Sequence, residues 1–337
     1  MGALLTRLML RGSLAQIRHV SPVPPGAAPD LVARVYAQMA RDFGMLAPPV
    51  ALHSPAPECL AACWLMLRES LLTSGAAGRT AKEAVAVRVS AANSCPYCVD
   101  VHRATLRGLA GKREAAPEPA AAPDREAATE SAAELAGVAL TFHYLNRMVN
   151  VFLGDSPLPP RLPARARPGL MRLFGLVMRP AARRETPPGE SLGLLPEAPL
   201  PGDLSWAGRT ANLAGAFARA ATAIEAAGRR AVPDPVRELV VERLGGWDGA
   251  PPGLGRAWAV EAAAGLAPAH RPAGRLALLT AMASYQVDRQ AIEEFRRAVP
   301  DDVAPGDREL VELTAWSSLA AARRFASADS FTPRTIS

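Results

Sequence analysis

No stretch of this chain alternates apolar and polar residues for the length of a strand, and its alanine, leucine and arginine content with few aromatics favours helices. The pattern predicts helices over 29–43, 57–73, 80–92, 95–109, 124–153, 203–227, 234–244, 255–265, 272–299 and 305–326. The fold class expected is all-α. Between 154 and 201 the proline density rises, with Pro157, Pro159, Pro160, Pro163, Pro168, Pro187 and Pro188 interrupting helix propagation. That segment is read as a linker. It divides an N-terminal segment (1–28) and a first helical unit (29–153) from a second helical unit (202–328) and a tail (329–337). A shorter run rich in Ala, Pro and Glu, 115–123, reads as an exposed loop.

Composition changes this picture little. A chain of 337 residues, 49% of them hydrophobic, has ample material for a core and a length suited to two units. The net charge of +6 rests almost wholly on arginine, since Lys82 and Lys112 are the only lysines. The arginines cluster only as doublets such as Arg183–Arg184 and Arg296–Arg297, so no nucleic-acid surface is expected. Arg7 and Arg11 interrupt the apolar N-terminus before a signal-peptide core can form, and His143, Asn146 and Arg147 interrupt the most apolar long stretch. A cytoplasmic protein without a membrane span is expected. Four cysteines in such a chain indicate chemistry or burial rather than a disulfide-stapled fold.

The chemistry concentrates in Glu83-AVAVRVSAANS-Cys95-Pro-Tyr-Cys98-VDV-His102. Ser94 suits an N-cap and Pro96 a first turn, so a helix should begin around Cys95 with both sulfurs at its positive end, where thiolates are stabilised. Cys98 and His102, four apart, share a face of that helix, so the imidazole can exchange a proton with the thiol. Cys95 and Cys98, three apart, have the spacing of redox pairs that close a disulfide at a helix start. Glu83 precedes the break at Asn93 and Ser94 by about as many residues as His102 follows it. A hairpin there brings the carboxylate level with the imidazole and makes it a better base.

These residues, in the context SAANSCPYCVDVH, resemble the active-site signature of the alkylhydroperoxidase D and carboxymuconolactone decarboxylase-like superfamily. The resemblance implies that Cys98 is the peroxidatic cysteine, Cys95 the resolving one, and Glu83 and His102 the proton carriers. It also implies a hydroperoxide substrate, a dithiol reductant of dihydrolipoyl or thioredoxin-like type, and helical units that pack as homo-oligomers. Some peroxidase members carry a histidine where this chain has Tyr97, which implies a shorter relay here. Decarboxylase members lack the cysteine pair, so their reaction is disfavoured.

The signature recurs in degenerate form: the segment from Asp307 to Ala321 aligns with that from Ala81 to Cys95. Glu309 then matches Glu83, whereas Ala321, Arg324 and Ala328 stand where the cysteines and the histidine would be. The second copy lacks the chemistry and is expected to stand in for a neighbouring subunit.

The rival readings are weaker. Cys95, Cys98 and His102 are acceptable zinc ligands, but no fourth is evident and zinc gives no reason for Glu83. A thioredoxin-like site would follow a strand. Cys59 and Cys63 read as buried structural residues, His53, His143 and His270 as surface or satisfied core positions, and Tyr144, Asn146 and Arg147 as pocket residues or simply core. The function expected is therefore a thiol peroxidase needing no metal or flavin, with a non-catalytic redox-sensing or metal-binding protein as the alternative.

Overall fold

A computed structural model of the chain describes residues 14–110, 125–159, 162–298 and 306–325. Among them the secondary structure is entirely helical, as expected. The longer helices are α1 (Asp30–Asp42), α2 (Pro57–Leu67), α3 (Arg79–Ala92), α4 (Pro96–Leu109), α5 (Arg125–Phe152), α6 (Arg167–Ala182), α7 (Ala211–Ala231), α8 (Asp234–Gly245), α9 (Arg271–Ala283), α10 (Arg289–Arg297) and α11 (Asp307–Arg323). Many prolines open helices rather than end them: those of α2, α4, α6, α8 and α9 occupy the first or second helical position. There the missing N–H has no intrahelical partner to lose.

Burial follows helical spacing in α1, where Val32, Val35, Tyr36 and Met39 face inward. In α2 every residue from Cys59 to Leu67 is buried, which makes it the central helix. It packs against α7 on one side and touches α1 and α5 on others. The long α5 packs against both α3 and α11, so a single core runs through the two halves of the chain.

Several segments differ from expectation. The single helix expected over 203–227 is a 3₁₀ stretch, Gly202–Arg209, and then α7 from Ala211, with extended Thr210 between them. The helix expected over 57–73 passes into a π turn at Arg68–Leu72, and that expected over 272–299 is split by the 3₁₀ turn Ser284–Gln286. The proline-rich segment contains α6, with Pro180 inside it, lying on α4. The two backbones approach so closely that a Cβ on Gly108 would collide with the carbonyl oxygen of Gly175, and one on Gly175 with that of Ala104.

The π turn carries Arg68 and Glu69, both fully enclosed. Arg68 bonds Asp42 at 2.7 Å, Glu69 at 2.7 Å and Glu190 at 3.0 Å. Glu69 in turn accepts from the Ser191 hydroxyl at 2.6 Å and the Gly189 N–H at 2.7 Å, tying the proline-rich segment to the core. Removing Glu69 would leave Arg68 its two other carboxylates but strip Ser191, Gly189 and one arm of Arg68 of a buried acceptor. Glu69→Ala is therefore expected to cost about 3 kcal/mol or more in equilibrium urea unfolding; a loss under about 1 kcal/mol would show that the network is dispensable.

Candidate active site

The corner between α3 and α4 is a turn of three residues. Asn93 ends α3, Ser94 reverses the chain with φ of 51°, and Cys95 is the N-cap of α4 with Pro96 as its first residue. The N-cap expected from the sequence is Ser94. The structure moves the cap one residue on because Ser94 takes the left-handed conformation, while the Cys95 N–H donates to the Ser90 carbonyl at 2.9 Å. The reversal lays α4 back along α3.

Across that hairpin Glu83 and His102 meet: His102 Nδ1 lies 2.7 Å from Glu83 Oε2. Arg79, one helical turn before Glu83, bonds its other oxygen at 2.8 Å. Burial alone would raise the Glu83 pKa, but His102 and Arg79 outweigh it and hold the carboxyl below its ordinary value. An ionised Glu83 accepts from Nδ1–H, so a neutral His102 keeps its lone pair on Nε2. The ring is fixed from the side by Phe142, edge-on at 4.6 Å.

Cys95 and Cys98 are free thiols, 1% and 2% exposed, and within hydrogen-bonding reach of each other. The expected fall in thiol pKa at the helix start is overturned for Cys98. Burial pushes its thiol well up, Cys95 adds to the rise, and only a hydrogen bond from Asn146 opposes it. Asn146 is itself held by Ser90, to whose hydroxyl it donates at 3.0 Å, and by Asn93, from which it accepts at 3.0 Å. Among the described residues no hydrogen bond joins Cys98 to His102; they share the face of α4 on which His102 follows Cys98 by one turn.

A cavity of about 150 Å³ reaches His102, with Tyr97 and Val101 on the same wall, while Cys98 one turn earlier lies behind that wall. Phe43, Leu67, Leu145 and Phe174 line it elsewhere, and its surface is predominantly apolar. His102 is therefore at once oriented by Glu83 and presented to an apolar space. The Tyr97 phenol is buried, and burial first, then the two cysteines, raise its pKa.

The remaining candidates sort differently. Cys59 and Cys63 lie in the core, their thiols pushed up by burial. His53 is a satisfied core residue with a pKa lowered to about 4 by burial; its Nδ1–H donates to the Val50 carbonyl at 3.0 Å and its Nε2 accepts from Tyr144 at 2.8 Å. Glu309 has no site around it: its carboxylate accepts the Gly306 N–H at 2.9 Å and caps α11. Ala321 is buried, Arg324 donates to the Gly245 carbonyl at 3.0 Å, and Ala328 lies outside the described residues. Among the described residues no three His, Cys, Asp or Glu side chains converge as metal ligands, and no helix is long and apolar enough to cross a membrane.

An all-helical chain with a Cys-x-x-Cys helix start one turn before a glutamate-bound histidine defines a narrow class. Residues 60–152, which include the whole constellation, match the carboxymuconolactone decarboxylase family. The chain is also 36% identical over 332 residues to an alkyl hydroperoxide reductase of Mycobacterium tuberculosis, covering 91% of this chain and 93% of the relative. It belongs to the alkylhydroperoxidase D and carboxymuconolactone decarboxylase-like superfamily. No solved structure matches it.

Proposed function

We propose that the chain is a thiol-dependent reductase of organic hydroperoxides. The observation that carries this is the placement of His102, held by Glu83 and lining an apolar cavity, on the helix face that carries Cys98. The name of the Mycobacterium tuberculosis relative supports the same reaction.

In the reaction so assigned, His102 takes the Cys98 proton and the thiolate sulfur attacks the terminal peroxide oxygen. An S–O bond forms, the O–O bond breaks, and the leaving alkoxide recovers the proton from His102. Cys98 is left as a sulfenic acid and the hydroperoxide as an alcohol. The Cys95 thiol then displaces hydroxide, giving a disulfide and water, and an external dithiol returns the pair to thiols by exchange. A base is needed because a thiol as buried as Cys98 does not ionise unaided. The apolar walls favour a peroxide with an alkyl or aryl tail over hydrogen peroxide.

Steady-state turnover with a panel of dithiols tests the proposal: cumene hydroperoxide should give a higher kcat/KM than hydrogen peroxide. Disulfide formation without turnover on any dithiol would favour a redox sensor and sink the enzyme. Within the relay, Glu83→Gln and His102→Gln should each raise the apparent thiol pKa read from alkylation rate against pH. The double variant should be little worse than the worse single one, because groups acting as a unit are not additive. Additive losses would count against a relay.

A further inference from the structure

A second cavity, of about 260 Å³, opens at the α3–α4 corner and shares no residue with the apolar one. Asn93 and Ser94 form one side of it; the C-terminal half supplies the other, with Trp247, Met282, Tyr285 and Phe325. At its edge lies Arg147 of α5, 4% exposed.

Arg147 is an unusual buried cation. Its Nε donates to the Ala281 carbonyl at 2.8 Å, and its Nη1 to the His143 carbonyl at 2.5 Å and to Asn93 Oδ1 at 3.3 Å. All three acceptors are neutral. No carboxylate pairs with it among the described residues, and no hydrogen bond from Nη2 is made there. Burial lowers its pKa only to about 10, so the charge persists at neutral pH. An enclosed charge without a countercharge is costly, and this one borders open space.

The walls select what would enter with the countercharge. The Trp247 ring centroid lies 5.8 Å from the guanidinium carbon, and Phe325 stands edge-on to Trp247 at 5.1 Å. His143, beside Phe325 at 5.4 Å, is kept neutral by burial and then by Arg147, with a pKa of about 3. Ser94 and Ser284 add hydroxyl donors. Asp248 also lines the cavity, but its carboxylate is turned to its own loop, accepting the Ala250 N–H at 2.8 Å.

We propose that this cavity binds a small monocarboxylate with an aryl or alkyl body, the carboxylate on Arg147 and the body against the wall that Trp247 and Phe325 form together. Nη2, the guanidinium nitrogen left without a hydrogen bond among the described residues, offers a carboxylate a charge-assisted donor, and the rings offer the body an apolar wall. The site requires both halves of the chain and stands independently of the peroxide reaction.

The test is calorimetric titration of the full chain with phenylacetate and, as its uncharged isostere, phenylacetamide. Phenylacetate should bind saturably at millimolar concentration and the amide at least about tenfold more weakly, the loss expected for one charge-assisted contact. Arg147→Met should abolish the difference between the two. Because Arg147 also ties α5 to α9, Trp247→Ala provides a variant that leaves every Arg147 hydrogen bond in place; it should weaken phenylacetate by about tenfold, the worth of a buried ring contact. Equal affinity for acid and amide, no saturable binding of the acid, or undiminished binding by Trp247→Ala would overturn the proposal.

Discussion

Replacing Cys98 by serine is expected to reduce peroxide turnover by at least about a thousandfold, the scale seen when a nucleophile is removed from a site that works as a unit. The fold should survive, since a hydroxyl fits the thiol's space and Asn146 is already in place to bond it. Cys95→Ser should behave differently. With no second sulfur to condense, Cys98 should stop as a sulfenic acid after one equivalent of peroxide, trappable by dimedone. Brief peroxide treatment of the unmodified protein that labels Cys95 instead would reverse the two roles.

The second large effect concerns the union of the two halves. Severing the chain in the proline-rich segment, to leave a fragment ending near Leu153, should give a product that aggregates or self-associates although it keeps Glu83, Cys95, Cys98 and His102. The reason is packing: α2 is buried all round because α7 covers it, and the C-terminal two-thirds of α5 is largely buried because α11 packs on it. Uncovering even three or four leucine-sized side chains costs about 5–10 kcal/mol, as much as a domain's whole stability. Glu309→Gln, by contrast, should leave turnover nearly unchanged, since that carboxylate only caps α11. A monomeric, stable and fully active fragment would mean that the C-terminal half is merely tethered.

The register of Glu83 and His102 is legible in the sequence because a hairpin with about equal arms brings the two level. The thiol pKa is not. Helix position is local and argues for a lowered value, whereas burial is a property of the assembled core and prevails at Cys98. Arg79 is within reach of the same reasoning, lying one turn before Glu83 on the same helix. The cavity walls are not, for Phe43 and Phe174 are far from the motif in sequence and meet it only through tertiary packing. Helix α6 escapes a reading that treats prolines as breakers, although Pro168 sits where a helix tolerates one. The breaks at Arg68 and Ser284 carry no glycine or proline to announce them. The first makes sense only once Arg68 is seen reaching three carboxylates at once.

The enclosure of the two sulfurs also sets a demand on the return half of the proposed cycle. A small peroxide can reach His102 through its cavity, but a dithiol carried on a larger partner must align three sulfurs, and Cys95 and Cys98 are almost wholly covered. The first turn of α4 is held at its start by the Cys95 N–H bond to Ser90. Regeneration would therefore wait on that turn coming away from the core, so that a local opening of the fold sets the pace of reduction.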